Sequence, residues 1–115
     1  MAAAPKMTLP MQLVLRSLLA EPSREMYGFE IGAATGLASG TVHPMLAKLE
    51  NGFGWLESRW EENLDPHLAG RPRRRYYRLT PDGAQRALTA LARVRRQQGT
   101  SPLARLYPDL AEGAL

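Results

Sequence analysis

The chain has 115 residues, 44% of them apolar and 23% charged, with a formal net charge of +4. That is the size and balance of one ordinary globular domain whose modest core gains from burial against a partner. The lack of cysteine excludes a disulfide framework and a cysteine-ligated metal. The first apolar run, interrupted by Arg16, is neither a secretory signal nor a membrane span, so a cytoplasmic protein without a membrane partner is expected.

Residues 1–7 are alanine-rich, carry Pro5 and read as a disordered N-terminus. Thr8 suits an N-cap, with Pro10 in the first turn behind it. Met11, Val14, Leu15, Leu18 and Leu19 then form an apolar helical stripe, which Glu21-Pro22-Ser23 ends. A second short helix is expected over Tyr27–Thr35, stopped by Gly36. Glycines stand at 28, 32, 36 and 40, but not in the Gly-x-Gly-x-x-Gly spacing of a nucleotide loop. They are read as allowing close helix crossing and, at Gly36, a turn with positive φ.

From Thr35 to Glu50 a tight turn feeds a helix that is half core and half probe. Val42, Met45, Leu46 and Leu49 recur at i, i+3, i+4 and i+7 and share one face. The other faces carry Gly40, Thr41, His43, Pro44, Ala47 and Lys48, with no acid before Glu50. Ser39 is expected to cap the helix, and Pro44 to sit near its start. Small side chains and a positive dipole end let such a helix approach a phosphate backbone closely. It reads as the recognition helix of a helix-turn-helix, over residues 39–51.

Asn51-Gly52-Phe53-Gly54 breaks the chain. Trp55–Trp60 alternates as a strand, with Leu56, Ser58 and Trp60 on one side. Glu61–Gly70 reads as a loop. Arg73–Leu79 is the returning strand, with Arg75, Tyr77 and Leu79 on one face and Arg74, Tyr76 and Arg78 on the other. A lone two-stranded hairpin is marginal in water and must lie on the helices.

Thr80-Pro81-Asp82-Gly83 turns into a last helix reaching about Gln98, with Ala84, Ala87, Leu88, Leu91 and Val94 at helical spacing. Their stripe needs a surface to cover, either a second copy of the chain or its own protomer. Residues 99–115 form a tail, a one-turn helix capped by Ser101 or a mobile end. Arg71, Arg73, Arg74, Arg75, Arg78, Arg86, Arg93, Arg95 and Arg96 fall in one stretch whose only acid is Asp82. Such an excess marks an anionic partner or a solvated surface. The expected fold is mainly α with a small two-stranded β wing. A winged helix-turn-helix spans residues 8–80, and a C-terminal dimerisation helix residues 81–98.

The residues resemble the PadR-like transcriptional regulators of the short type, with a single C-terminal helix. Tyr27-Gly28-Phe29-Glu30-Ile31 looks like that family's Tyr-Gly-x-Glu-Ile segment. Thr35-Gly36-Leu37, Gly40-Thr41-Val42, Pro44, Leu46, Leu49 and Glu50 match its recognition helix. Ser58, Trp60-Glu61, Gly70-Arg71-Pro72-Arg73 and Tyr76-Tyr77-Arg78-Leu79-Thr80 match its wing. His43 stands where the family has tyrosine, and Asn51–Gly54 is slightly longer than its counterpart. The resemblance implies homodimeric DNA-binding repressors joined through the last helix, here by Ala84, Ala87, Leu88, Leu91 and Val94. Some short members respond to small aromatic or drug-like compounds held at the dimer interface. The helix from Gly83 to Gln98 has no aromatic residue to stack on one, so a small-molecule effector stays unassigned.

A sequence-specific regulator of this kind would place the recognition helix in a major groove of a palindromic operator. Ser39 and Thr41 would reach phosphate, and Thr41, His43, Pro44 and Lys48 base edges or a thymine methyl. Arg71, Arg73, Arg74 and Arg75 would hold the backbone. An exposed helical histidine can equally be solvated, and Tyr76 can meet DNA or pack on the last helix. Glu61 and Glu62 would repel phosphate, turning the first wing strand away. With two histidines, no cysteine, no nucleophile turn and no metal-ligand spacing, neither catalysis nor a cofactor or metal is expected. A winged-helix protein-interaction module without DNA binding is the alternative. No exposed aromatic platform for unpaired RNA bases is evident.

Overall fold

The structure is a computed structural model that describes residues 4–62 and 65–99. It is mainly helical, with a small antiparallel three-stranded sheet. Helix α1 (Leu9–Leu19) starts where Thr8 Oγ1 accepts the Met11 N–H at 3.3 Å, which satisfies one of the free donors at a helix start. It buries Met11, Val14, Leu15 and Leu18. The segment ahead of it is not loose over residues 4–7. Pro5 is buried, Met7 packs on the core, and the Gln12 side chain donates to the Met7 carbonyl at 2.8 Å.

Strand β1 (Met26–Tyr27) stands where the sequence suggested the start of a helix. Met26 pairs with Tyr77 and Tyr27 with Tyr76, so the sheet order is β1-β3-β2 and the wing gains a third strand. Two residues carry no readable period. The open edge of the neighbouring strand, not local pattern, makes them extended.

Helix α2 (Gly28–Thr35) begins where Glu30 reaches back to accept the Tyr27 N–H at 3.3 Å, and ends at Gly36, whose φ is 76°. Positive φ at Gly36 is the turn expected there. Helix α3 (Ser39–Ala47) is preceded by Ala38, which caps it with no side-chain hydrogen bond. Ser39 is therefore the first helical residue and not the cap. The helix opens earlier than expected because the Ala38 carbonyl accepts from both Thr41 and Val42, at 2.9 and 3.0 Å. Pro44 then sits inside the helix and cannot give the Gly40 carbonyl its usual donor four residues on.

The chain leaves α3 through a wide π turn, Lys48–Gly52, closed by Phe53 N–H to Lys48 O at 3.1 Å and Trp55 N–H to Leu49 O at 2.8 Å. It keeps Leu49 buried. Strands β2 (Leu56–Trp60) and β3 (Arg75–Leu79) run antiparallel with Leu56 opposite Leu79 and Trp60 opposite Arg75. The connection between them holds one turn of helix, α4 (Pro66–Ala69), capped by Asp65 and stopped by Gly70 at φ 69°.

Helix α5 (Pro81–Gly99) starts two residues before the expected Gly83 and lies against α1 and β3. The core joins Val14, Leu15 and Leu18 of α1 to Ile31, Val42, Leu46, Leu49 and Trp55. Ala87 and Ala90 of α5 close it, with Ala84 and Leu91 packed alongside. This changes the expected dimer stripe: Ala87 is 0% exposed within its own protomer, whereas Leu88 is 53% exposed. The small side chains let α5 lie close on α1 and β3, so that face is consumed at home. The expected tail beyond Gly99 lies outside the described residues, and among those described no helix is long and apolar enough to cross a membrane.

Candidate nucleic-acid interface

With Val42, Leu46 and Leu49 turned into the core, α3 presents Ser39, Gly40, His43, Pro44 and Ala47 to solvent, followed by Lys48. Thr41 is half-buried. No heavy atom outside its own helix lies within 4 Å of where a Gly40 β-carbon would be, so this edge is smooth and open. His43 is held more closely than a solvated side chain. Its imidazole rests on the first residue of α2, where a Gly28 β-carbon would stand 2.6 Å from His43 Cε1. Glycine at 28 therefore makes room for the ring.

In the wing, the Glu61 carboxylate accepts from the Arg71 guanidinium at 2.8 and 2.9 Å and from the Arg74 N–H at 3.2 Å. Arg71, then the Arg74 N–H, hold its pKa down to about 2, and the pair raises that of Arg71. Glu61 was expected to push phosphate away; it is instead the internal partner of Arg71. Arg75 is also engaged, donating from Nε to Ser58 Oγ at 3.0 Å and lying 3.5 Å from Glu50. Arg74 stacks its guanidinium 4.2 Å from the centre of the Tyr27 ring. Arg73 is exposed.

Tyr76 packs within the sheet, edge-on to Tyr27 at 5.7 Å and under the Arg59 guanidinium at 5.2 Å. Tyr77 is buried, which raises its pKa, with Arg75 acting in the opposite direction.

Between α3, the start of α2 and the wing lies a cleft of about 720 Å³. His43, Arg71, Arg73, Arg74 and Arg75 line it together. Ser39, Thr41, Pro44 and Lys48 do not line it. Of the arginines lining the cleft, Arg71 is paired with Glu61 and Arg75 with Glu50. Its aromatic wall was not read from the sequence: Tyr27, Phe29, Trp60 and Tyr77. Phe29 is 78% exposed and Trp60 54% exposed, so exposed aromatics do flank this face. The available signal was Phe29 next to the start of a helix whose stripe it does not join.

This geometry, a short probe helix beside an arginine-bearing hairpin, matches a known family. The profile of the Transcriptional regulator PadR-like family matches residues 15–89, from within α1 through the wing and into α5. The chain belongs to the PadR-like family. Its fold is also that of solved proteins, two of them transcription regulators. The protein smu.1704 from Streptococcus mutans UA159 is 26% identical, with 80% of this chain and 81% of that one covered and a TM-score of 0.61. PcaV, a transcriptional regulator from Streptomyces coelicolor solved with its natural ligand, is 21% identical over 96% of this chain and 76% of its own, at a TM-score of 0.64. A PadR family transcription regulator from Clostridium difficile R20291 is 19% identical over 90% and 95%, at 0.52. No curated protein gives a match. PadR-like membership makes this a winged-helix transcriptional regulator with a DNA-binding fold.

Proposed function

We propose that the chain acts in the cytoplasm as a homodimeric repressor of a roughly palindromic operator, each protomer laying the 39–51 segment in a major groove. The observation that carries this reading is the meeting of an acid-free outer face on α3 with His43 and four wing arginines around one cleft. Thr41, His43, Pro44 and Lys48 read base edges or thymine methyls, while Ser39 and the first α3 N–H groups take phosphate. Arg73 and Arg74 make the backbone contacts of the wing. Arg71 and Arg75, tied to Glu61 and Glu50, hold the wing's shape. Leu88, exposed on the outer side of α5, and the half-buried Val94 further along the helix meet the second copy.

Half-sites then lie about one turn, ~34–36 Å, or a multiple of it apart. A gel-shift selection from the native genome tests this directly, with the double variant Arg73→Ala, Arg74→Ala as the probe of the wing. That variant is expected to weaken binding to every selected sequence and to lower the salt slope by about two, roughly one for each lost phosphate contact. A changed sequence preference at an unchanged slope would show that the wing does not serve the backbone. Failure of the wild type to bind any duplex in dilute salt would favour a protein-interaction module, for which exposed Phe29 and Trp60 are the natural contacts.

A further inference from the structure

The recognition segment and the wing meet through a polar link that the DNA-contact assignments leave unused. Glu50 lies in the π turn that ends the recognition segment. Its carboxylate accepts from the Ser58 hydroxyl of β2, and the same hydroxyl accepts Arg75 Nε–H of β3 at 3.0 Å. Arg75 Nη2 stands 3.5 Å from the second Glu50 oxygen, and the guanidinium lies 5.2 Å from the centre of the Trp60 ring. One acid thus ties three backbone segments together. The Glu50 and Arg75 side chains are 19% and 38% exposed, so water screens this link only in part.

The position of the link matters. The base of the hairpin is anchored in the core by Leu56, Tyr77 and Leu79, whereas Trp60 at the far end of β2 is 54% exposed. The wing is also held by the pairing of β1 with β3 and by Trp55 N–H on Leu49 O. The link adds a direct tie between the inner face of the hairpin and the end of the recognition segment. We propose that Glu50, acting with Ser58 and Arg75, is a positioning group that fixes the angle between wing and recognition helix. The helix in its groove and Arg73 and Arg74 on the flanking backbone then engage one duplex together, without an ordering cost at the moment of binding. Arg75 accordingly serves DNA through the wing's geometry and not through a phosphate.

This rests on the proposed DNA-binding reading, and the test separates the two. The chain lacks cysteine, so spin labels can be placed uniquely on Ala47→Cys and Leu68→Cys, both exposed. Their distance distribution is measured without DNA, in dimers diluted with unlabelled protein so that only the pair within one protomer is read. Glu50→Gln and Ser58→Ala are each expected to broaden it, and unchanged widths overturn the proposal whether or not DNA binds. Should Glu50→Gln not fold, Ser58→Ala decides, since it leaves every charge in place.

On the selected operator, Glu50→Gln is expected to bind about tenfold more weakly, the scale of ordering one or two groups on binding. Removing an acid beside DNA would by charge alone strengthen binding, so stronger or equal binding overturns the proposal. In the Arg73→Ala, Arg74→Ala background the same change should have almost no further effect; a full tenfold loss there also overturns it. A wild type that binds no duplex would instead defeat the functional reading and leave the distance widths to decide the link.

Discussion

Replacing Gly83 by alanine should unfasten α5 from the base of the wing. Gly83 is buried in the first turn of that helix, and a β-carbon there would stand 2.1 Å from the Trp55 carbonyl oxygen and 2.7 Å from the carbonyl carbon. Those are main-chain atoms, so no rotamer change relieves the overlap. Carbon atoms pack at about 3.5–4.0 Å, which requires the start of α5 to retreat by roughly 1 Å. The retreat strikes a short chain of hydrogen bonds: Thr80 N–H to Trp55 O at 2.9 Å, and Gly83 N–H to Thr80 Oγ1 at 2.9 Å. Overpacking of this kind costs about 1–3 kcal/mol, and each hydrogen bond lost about 1 kcal/mol more. The better helix propensity of alanine returns at most ~1 kcal/mol.

A net loss of about 2–4 kcal/mol follows, which lowers the melting midpoint of a domain this size by roughly 10–30 °C. Circular dichroism melts at fixed protein concentration measure it. Gly40→Ala is the control: it adds the same methyl to a helix, with nothing nearby to meet it, and should stabilise by up to ~1 kcal/mol. If the two variants melt alike, α5 does not dock on the Trp55 main chain at so close an approach.

Two further outcomes are expected. The Glu61 pKa is lowered from 4.5 to about 2, first by the hydrogen bond from Arg71, so its stabilisation is complete above its unfolded value and is lost as pH falls through the folded one. The melting gap between wild type and Glu61→Gln should hold steady from neutral pH to about 4.5 and close near 2; a gap still open in stronger acid would deny the pairing. Leu88→Glu, at a position 53% exposed in the protomer, should convert a sedimenting dimer to monomer with little change in protomer unfolding. A persisting dimer would move the subunit contact off the outer side of α5.

Much of this protein is local in origin and was legible in order along the chain. The Thr8 cap, the α1 stripe and the Val42, Leu46, Leu49 face each follow from residues within one or two turns of each other. The positive φ at Gly36 and the alternation of β2 and β3 are local in the same sense. What the chain alone left open were choices between partners distant in sequence. Met26–Tyr27 is a strand only because β3 offers an edge, and the π turn after α3 is closed by Trp55 reaching Leu49.

The arginines show the same division. Their number and clustering fit an anionic partner or a solvated surface, yet Glu61 engages Arg71 and Glu50 engages Arg75 across separations that no periodicity reports. On α5 the apolar spacing was plain, but Ala87 fills the protomer's own core while Leu88 is left outside. Periodicity states that a face must be buried; only the packed chain determines against what, because a side chain's partner is set by the nearest complementary surface in space.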